Sequence, residues 1–116
     1  MLVDALQQAA PVLDPWFVVR DPASALCLSG AVSNHPLLSG EGRWVATSML
    51  FGLDPQAGHA RTYSRWYRLG RLIDVAEYEA LRGKPLNPAL KPVRADDVKP
   101  WLARMRKRVA REGLRG

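Results

Sequence analysis

Arginine and aromatic residues interleave in the run RTYSRWYR at residues 61–68. Guanidinium groups bind phosphate and aromatic rings stack on bases, so this combination on an exposed strand is typical of nucleic-acid binding. The same residue types dominate protein–protein interfaces, so an acidic protein surface is an equally suitable partner. The structural alternative is that Trp66 or Tyr67 packs in the core while the arginines are solvated or stacked on rings.

A second cationic segment lies towards residue 116. From residue 94 onward there are eight basic residues and three acids. Five of the cations fall on the polar side of a predicted amphipathic helix, which could lie across a phosphate backbone: Arg104, Arg106, Lys107, Arg108 and Arg111. The alternative is that they solvate the helix while its apolar side packs on the sheet.

The whole chain is basic, with a formal net charge of +6 and an isoelectric point of about 10.1. This excess favours an acidic partner. We therefore predict a non-enzymatic binding protein, without a cofactor, whose partner is an acidic protein surface or a nucleoprotein complex. A small DNA- or RNA-binding regulator is the alternative. The predicted binding residues are Arg61, Arg65, Trp66, Tyr67, Arg68, Arg71, Arg104, Lys107, Arg108 and Arg111.

Metal binding and nucleophilic catalysis have weak support in the sequence. The candidate ligands Cys27, His35 and His59 lack the spacing of known metal motifs, so no metal site is predicted. A Cys27 nucleophile could in principle use His35, with Asn34 or Asp54 as the orienting group. Cys27 lies inside a predicted strand, however, where burial makes a thiol unreactive. An enzyme using Cys27 and His35 is therefore the disfavoured alternative, and we predict no catalytic residues.

Alternating and apolar runs predict the strands that carry these residues. Residues 16–19 and 25–33 each predict a strand, and Gly30 marks a bulge or a close neighbour. Residues 43–53 and 59–69 predict a hairpin around the turn sequence DPQAG at residues 54–58. On the last strand the alternation places Arg61, Tyr63, Arg65, Tyr67 and Leu69 on one face, and Ala60, Thr62, Ser64, Trp66 and Arg68 on the other.

Two helices are predicted from their caps and periodicity in the first and middle parts of the chain. Residues 2–9 predict a short N-terminal helix that Pro11 ends. A second helix has Asp74 as its N-cap and ends at Gly83. Its predicted apolar stripe consists of Val75, Tyr78 and Leu81.

The last predicted helix follows a proline-rich extended linker at residues 84–94. Asp96 or Asp97 caps it, Pro100 fits within its first turn, and Gly113 stops it. Its apolar face consists of Val98, Trp101, Leu102, Met105 and Val109.

These elements predict one α+β domain over residues 1–116, with a three- to four-stranded antiparallel sheet. An N-terminal helix and two C-terminal helices pack on it, chiefly on one face. The sheet core spans about residues 15–70 and the helical part about residues 74–113. The single cysteine excludes an internal disulfide, and neither a signal peptide nor a membrane-length apolar run is found. A cytoplasmic protein without membrane contact is expected.

The motif CLxGxVxxHP at residues 27–36 is followed by a Thr-Ser pair at residues 47–48, Leu-Asp at residues 53–54 and ARTxSRWYRLG at residues 60–70. This pattern resembles a family of small uncharacterised proteins from phages, plasmids and genomes of proteobacteria. The resemblance implies a mobile-element context, in which small inhibitors of host defence, including anti-CRISPR proteins, are common. It carries no assigned activity and therefore no site residues.

Overall fold

The computed structural model of the 116-residue chain describes residues 10–35 and 42–115, with side chains described as far as Lys107. Two helices, α1 (Val75–Arg82) and α2 (Val98–Arg115), lie in the C-terminal part of this region, and a 3₁₀ turn at Ala95–Asp97 leads into α2. The strands are β1 (Val12–Arg20), β2 (Leu26–Ser33), β3 (Arg43–Ala46), β4 (Leu50–Asp54), β5 (His59–Thr62), β6 (Trp66–Leu69) and β7 (Lys91–Val93).

The seven strands of the described region form one mixed sheet in the order β3-β2-β1-β6-β5-β4, and β7 also pairs with β1. β2 runs antiparallel to β1, with Gly30 opposite Trp16. β6 runs parallel to the first part of β1. β7 is antiparallel to the last part of β1, where Lys91 lies opposite Arg20. β1 is therefore the central strand, paired on both sides.

The sheet is strongly curved, because residues 47–49 join its two end strands directly. β3 ends beside β2, and Thr47 still donates its backbone N–H to the Leu28 carbonyl oxygen at 2.8 Å. Three residues later the chain enters β4 at the other end of the strand order. The sheet thus resembles a partly closed barrel. Its concave face encloses the larger core, which includes Leu13, Trp16, Val18, Leu28, Val32, Val45, Leu50, Leu53, Ala60 and Tyr67.

The two helices cover opposite faces of the sheet. α2 closes the concave core with Val98 and Leu102. α1 packs Tyr78 on the convex face of β1 and β2, where Phe17, Val19, Cys27 and Ile73 form a second, smaller core. The Phe17 and Tyr78 ring centroids are 5.3 Å apart there. β1 is therefore buried on both faces, which explains its uninterrupted apolar run.

The prediction of a three- to four-stranded antiparallel sheet is wrong, because the described residues form seven strands with a parallel pair. Both long predicted strands are divided. Residues 43–53 become β3 and β4, since Thr47 stays bonded to β2 and its hydroxyl accepts the Leu28 N–H at 3.0 Å. Residues 59–69 become β5 and β6, since the Thr62 N–H and hydroxyl donate to the Arg65 carbonyl oxygen at 2.9 and 3.1 Å.

The helical part of the prediction also needs correction. The N-terminal helix at residues 2–9 falls outside the described residues. The two C-terminal helices are present, but they lie on opposite faces of the sheet rather than chiefly on one. Part of the predicted linker at residues 84–94 forms β7, where Pro92 is tolerated because the strand is short and pairs only with β1.

The predicted caps of α1 are confirmed. The Asp74 carboxylate accepts the Glu77 N–H at 2.9 Å, and Gly83 ends the helix in the left-handed conformation with φ of 67°. Leu81, predicted as part of the apolar stripe, is instead 58% exposed. α2 buries Val98 and Leu102 as predicted, but it continues past Gly113 to Arg115.

Candidate nucleic-acid interface

The arginine–aromatic run forms a hairpin, β5–β6, and this rearranges its faces. Cross-strand pairing places Ala60 opposite Tyr67 and Arg61 opposite Trp66. Ala60 and Tyr67 both point into the concave core. Arg61 and Trp66 therefore share the convex face, although simple alternation along one strand placed them on opposite faces.

The convex face of β4–β5–β6 carries two short cross-strand rows. One row contains Gly52, Arg61 and Trp66, and the other contains Asp54, His59 and Arg68. A shallow groove of about 500 Å³ follows the first row. Among the residues that the structure describes, none from α1 or α2 lines this groove. We call this surface, defined by these six residues, the outer face.

The centre of the outer face is an arginine held against an indole. The Arg61 Cζ atom lies 6.0 Å from the centroid of the Trp66 ring, within the range of a cation–π interaction. Gly52, next in the row, has no side chain, and a Cβ atom there would meet nothing within 4 Å. An aromatic surface and a guanidinium group thus lie beside open space that a flat ligand could occupy.

Two other charged groups of the outer face have local partners. The Arg68 Nε–H donates to the Ala10 carbonyl oxygen at 2.9 Å, which ties the start of the described chain to β6. The Asp54 carboxylate accepts the Ala57 N–H at 3.1 Å and so organises the β4–β5 turn. Arg61 is therefore the cation of this face that is best placed to bind a ligand.

An exposed apolar group, which we call the tip cluster, lies at the turn end of the hairpin. It contains Met49, Phe51 and Tyr63, which are 39%, 44% and 72% exposed. The Phe51 and Tyr63 ring centroids are 6.2 Å apart. Arg106 of α2 reaches it through a bond from its guanidinium to the Phe51 carbonyl oxygen at 2.9 Å. The pairing of β4 with β5 shifts register between Leu50 and Gly52, and the ring of the intervening Phe51 is exposed.

Two residues of the predicted site lie on the concave side of the hairpin. Tyr67 is buried in the core, and burial raises the pKa of its phenol, an effect that the positive charge of Arg65 partly opposes. The same two causes, burial first and Arg65 second, lower the pKa of His35. Because Trp66 lies on the outer face, strand alternation turns the neighbouring Arg65 side chain to the other side of the hairpin.

The other predicted cations are distributed over different surfaces. Arg71 approaches Glu77 of α1, with 3.9 Å between the guanidinium nitrogen and carboxylate oxygen, and both side chains are at least half exposed. Arg104 lies over the Trp101 ring at 5.8 Å, and Lys107 is exposed. The Arg108 and Arg111 side chains lie outside the described part of the chain. Of the ten predicted residues, the structure brings Arg61, Trp66 and Arg68 together on the outer face.

The described residues give no geometry for catalysis by Cys27. Its side chain is buried, and the pKa of its thiol is raised, first by burial and second by the Asp21 carboxylate. A raised pKa disfavours the thiolate, which is the nucleophilic form. Within the same part of the chain, no three His, Cys, Asp or Glu side chains are grouped to hold a metal ion.

A comparison of the sequence with protein families gives one match, to the family of unknown function DUF6634, over residues 3–91. The chain belongs to this family. The match covers strands β1 to β6 and helix α1 but stops before α2. It confirms the expected membership of an uncharacterised family. No curated protein and no solved structure matches the chain significantly. Neither described helix is both long and apolar enough to cross a membrane.

Proposed function

We propose that this protein is a non-enzymatic binding protein that holds single-stranded nucleic acid on its outer face. The observation that carries the proposal is the Arg61–Trp66 pair beside the open groove over Gly52. Stacking on aromatic rings is largely independent of base identity, and arginine adds both phosphate binding and cation–π attraction. A half-buried tryptophan, on the part of the convex face that neither described helix lines, supplies such a ring.

Charge supports the same partner. The formal net charge of +6 attracts polyanions, and neutralising phosphates releases bound counterions. Binding should therefore weaken steeply as the salt concentration rises. Cys27 is buried and the pKa of its thiol is raised, so it is a poor nucleophile. This supports the non-enzymatic part of the proposal.

The test is the affinity for fluorescently labelled oligothymidine and oligouridine, measured by anisotropy at several salt concentrations. Trp66→Ala should weaken binding about tenfold or more, because it removes a stacking platform. Arg61→Gln should weaken binding and reduce the salt slope by about 0.7, the value for one phosphate contact on a single strand.

The matched control is Arg82→Gln. Arg82 also lies over an indole, that of Trp44, at 5.4 Å, but in the part of the convex face where α1 packs on β1 and β2. The Arg82→Gln substitution removes one positive charge and leaves the outer face unchanged, so the affinity for the oligonucleotide should stay within about twofold. Equal losses for Arg61→Gln and Arg82→Gln would show that only the net charge matters, and the proposed interface would then be wrong.

A second candidate function is inhibition of a host nucleoprotein complex through contact with an acidic protein surface. The tip cluster favours it, because Phe51, Tyr63 and the nearby Arg106 are residue types that anchor protein interfaces. The mobile-element origin and anti-CRISPR action that the family resemblance implies belong to this candidate. Co-elution with a purified CRISPR effector complex, lost in Tyr63→Ser and accompanied by loss of target cleavage, would support it. Binding to oligonucleotides, without co-elution with the effector complex, would contradict this second candidate function.

A further inference from the structure

A second cationic surface lies at the margin of the concave face, where β1, β7 and α2 meet. A groove of about 450 Å³ runs between these elements, and we call it the β1–β7 groove. Among the described residues its lining contains four cations, one indole and one carboxylate: Arg20, Lys91, Arg94, Arg104, Trp101 and Asp97. Neither Arg61 nor Trp66 belongs to this lining, so the groove is separate from the outer face.

Two of these cations are forced together by the register of the sheet. Arg20 of β1 lies directly opposite Lys91 of β7 in the antiparallel pair, so their side chains leave the same face of the sheet. Like charges in this position destabilise a strand pair. Among the described residues, neither side chain forms an ion pair that would relieve the repulsion. The fold thus holds two positive charges in an arrangement that an anion would stabilise.

A third cation of the groove, Arg104, shares the Trp101 ring with Arg20. The Cζ atoms of Arg20 and Arg104 lie 5.9 and 5.8 Å from the centroid of Trp101. Stacking on an indole orients a guanidinium group while its in-plane N–H groups stay available as donors. The two arginines are thereby partly preorganised, and less side-chain entropy is lost when they bind a ligand.

The charge balance of the groove indicates the class of ligand. Arg94 is already paired with Asp96, with 3.5 Å between nitrogen and oxygen. Arg20, Lys91 and Arg104 then face the single lining carboxylate of Asp97. A phosphate group carries more charge than a carboxylate and offers more acceptor oxygens in a tetrahedral arrangement. Phosphate therefore suits the three cationic side chains that line this groove better than an acidic amino acid does.

We propose that the β1–β7 groove is a phosphate-binding site formed by Arg20, Lys91 and Arg104. The phosphate belongs either to a small phosphorylated molecule or to a nucleic-acid backbone. The site does not depend on the proposed function of the outer face, because the two surfaces share no residue.

The experiment uses the full chain and two probes, inorganic pyrophosphate and oligothymidine, at about 50 mM salt, where phosphate contacts are strong. Titration is followed by the ¹⁵N–¹H signals of the backbone and the tryptophan indoles. Pyrophosphate should shift the Trp101 indole signal. Arg20→Gln and Lys91→Gln should each weaken pyrophosphate binding about tenfold, the effect of one charge-assisted hydrogen bond. The control Lys84→Gln, an exposed lysine outside the groove, should keep the original affinity.

Stability provides an independent readout. Without phosphate, Lys91→Gln should raise the melting temperature by about 1–4 °C, because it relieves the repulsion between the opposed cations. Unchanged pyrophosphate affinity in both variants, or a lower melting temperature in Lys91→Gln, would overturn the proposal.

The two probes separate the sources of the phosphate and the two proposals. If both groove variants also weaken oligothymidine binding, a nucleic-acid backbone is the source; if only pyrophosphate binding weakens, a small phosphorylated molecule is the source. Loss of oligothymidine binding in Arg61→Gln but not in the groove variants leaves the outer face as the nucleic-acid interface. Pyrophosphate binding that persists without any oligothymidine binding would support the groove and contradict the proposed function.

Discussion

Gly30 shows how one missing side chain permits the central strand pair. A Cβ atom at this position would lie 2.7 Å from the Pro15 carbonyl oxygen and 3.2 Å from the Trp16 Cβ atom. The register of β1 against β2 shifts just before Trp16, so the backbones approach closely where Gly30 stands. The sequence pattern predicted a bulge or a close neighbour here, and the structure confirms it.

Gly30→Ala should therefore destabilise the protein by about 2 kcal/mol or more, because the new methyl group collides with backbone that cannot rotate away. Chemical denaturation measures the free energy of unfolding. Gly52→Ala is the control, since its Cβ atom has open space, and its effect should stay within about 0.5 kcal/mol. Similar losses for both variants would mean that glycine flexibility, and not close approach, matters at residue 30.

Cys27 gives a prediction about pH. The pKa of its thiol is raised in the folded protein, first by burial and second by Asp21, from about 8.5 in an unfolded chain. The folded state therefore holds this proton more tightly. Its contribution to stability is complete below about pH 8.5 and is lost as the pH rises through the folded-state pKa.

The free energy of unfolding should accordingly fall as the pH rises above about 8.5, and the fall should be smaller in Cys27→Ala. Urea denaturation at several pH values measures both. The phenol of Tyr67, whose pKa is also raised, contributes in the same direction to both proteins and cancels in the comparison. Identical slopes would contradict the assignment to Cys27.

At the scale of elements, the turn at residues 54–58 and the two C-terminal helices were predicted better than the boundaries of the strands. Alternation identified residues 43–53 and 59–69 as strand-forming, and the turn at residues 54–58 joins β4 to β5 as predicted. Alternation could not show that Thr47 bonds the distant Leu28, or that Thr62 turns the chain after four residues. Both threonines suit strands equally well, so the breaks depend on hydrogen bonds that form only in the folded protein.

One leucine in each helix tests which of the residues predicted to be buried contribute to the core. Leu102 of α2 is 9% exposed and Leu81 of α1 is 58% exposed, although periodicity predicted both as buried. Leu102→Ala should lower the free energy of unfolding by about 2–4 kcal/mol because it leaves a cavity in the concave core. Leu81→Ala should change it by about 0.5 kcal/mol or less. Comparable losses would mean that α1 buries more of its surface than the structure shows.

At the scale of the whole molecule, α2 lies outside the family match, yet it completes the core that the matched strands form. The match ends at residue 91, yet Val98 is fully buried in the concave core with β1, β2 and β4. Removing α2 would expose Val98, Leu102 and the side of the core that they cover. Burying each such side chain contributes about 1.5–3 kcal/mol, a large part of the stability of a small domain.

A chain shortened to residues 1–94 should therefore lose its cooperative thermal unfolding transition, as followed by near-ultraviolet circular dichroism. Val98→Asp in the full chain should have a similar effect, because it buries a charge without a partner. Lys99→Asp, at the adjacent exposed position, should leave the transition in place. A sharp transition in the shortened chain would show that the family segment folds independently of α2.

The sequence by itself determined the local features of this protein: the Asp74 and Gly83 caps, the apolar face of α2, the turn between β4 and β5, and a basic chain with an arginine–aromatic run. These depend on neighbouring residues and on composition. Only the tertiary structure decided that the run is a hairpin, that Arg61 and Trp66 share a face while Tyr67 is buried, and that Arg20 meets Lys91. These relations arise from strand register, and register is set by contacts between residues far apart in the chain.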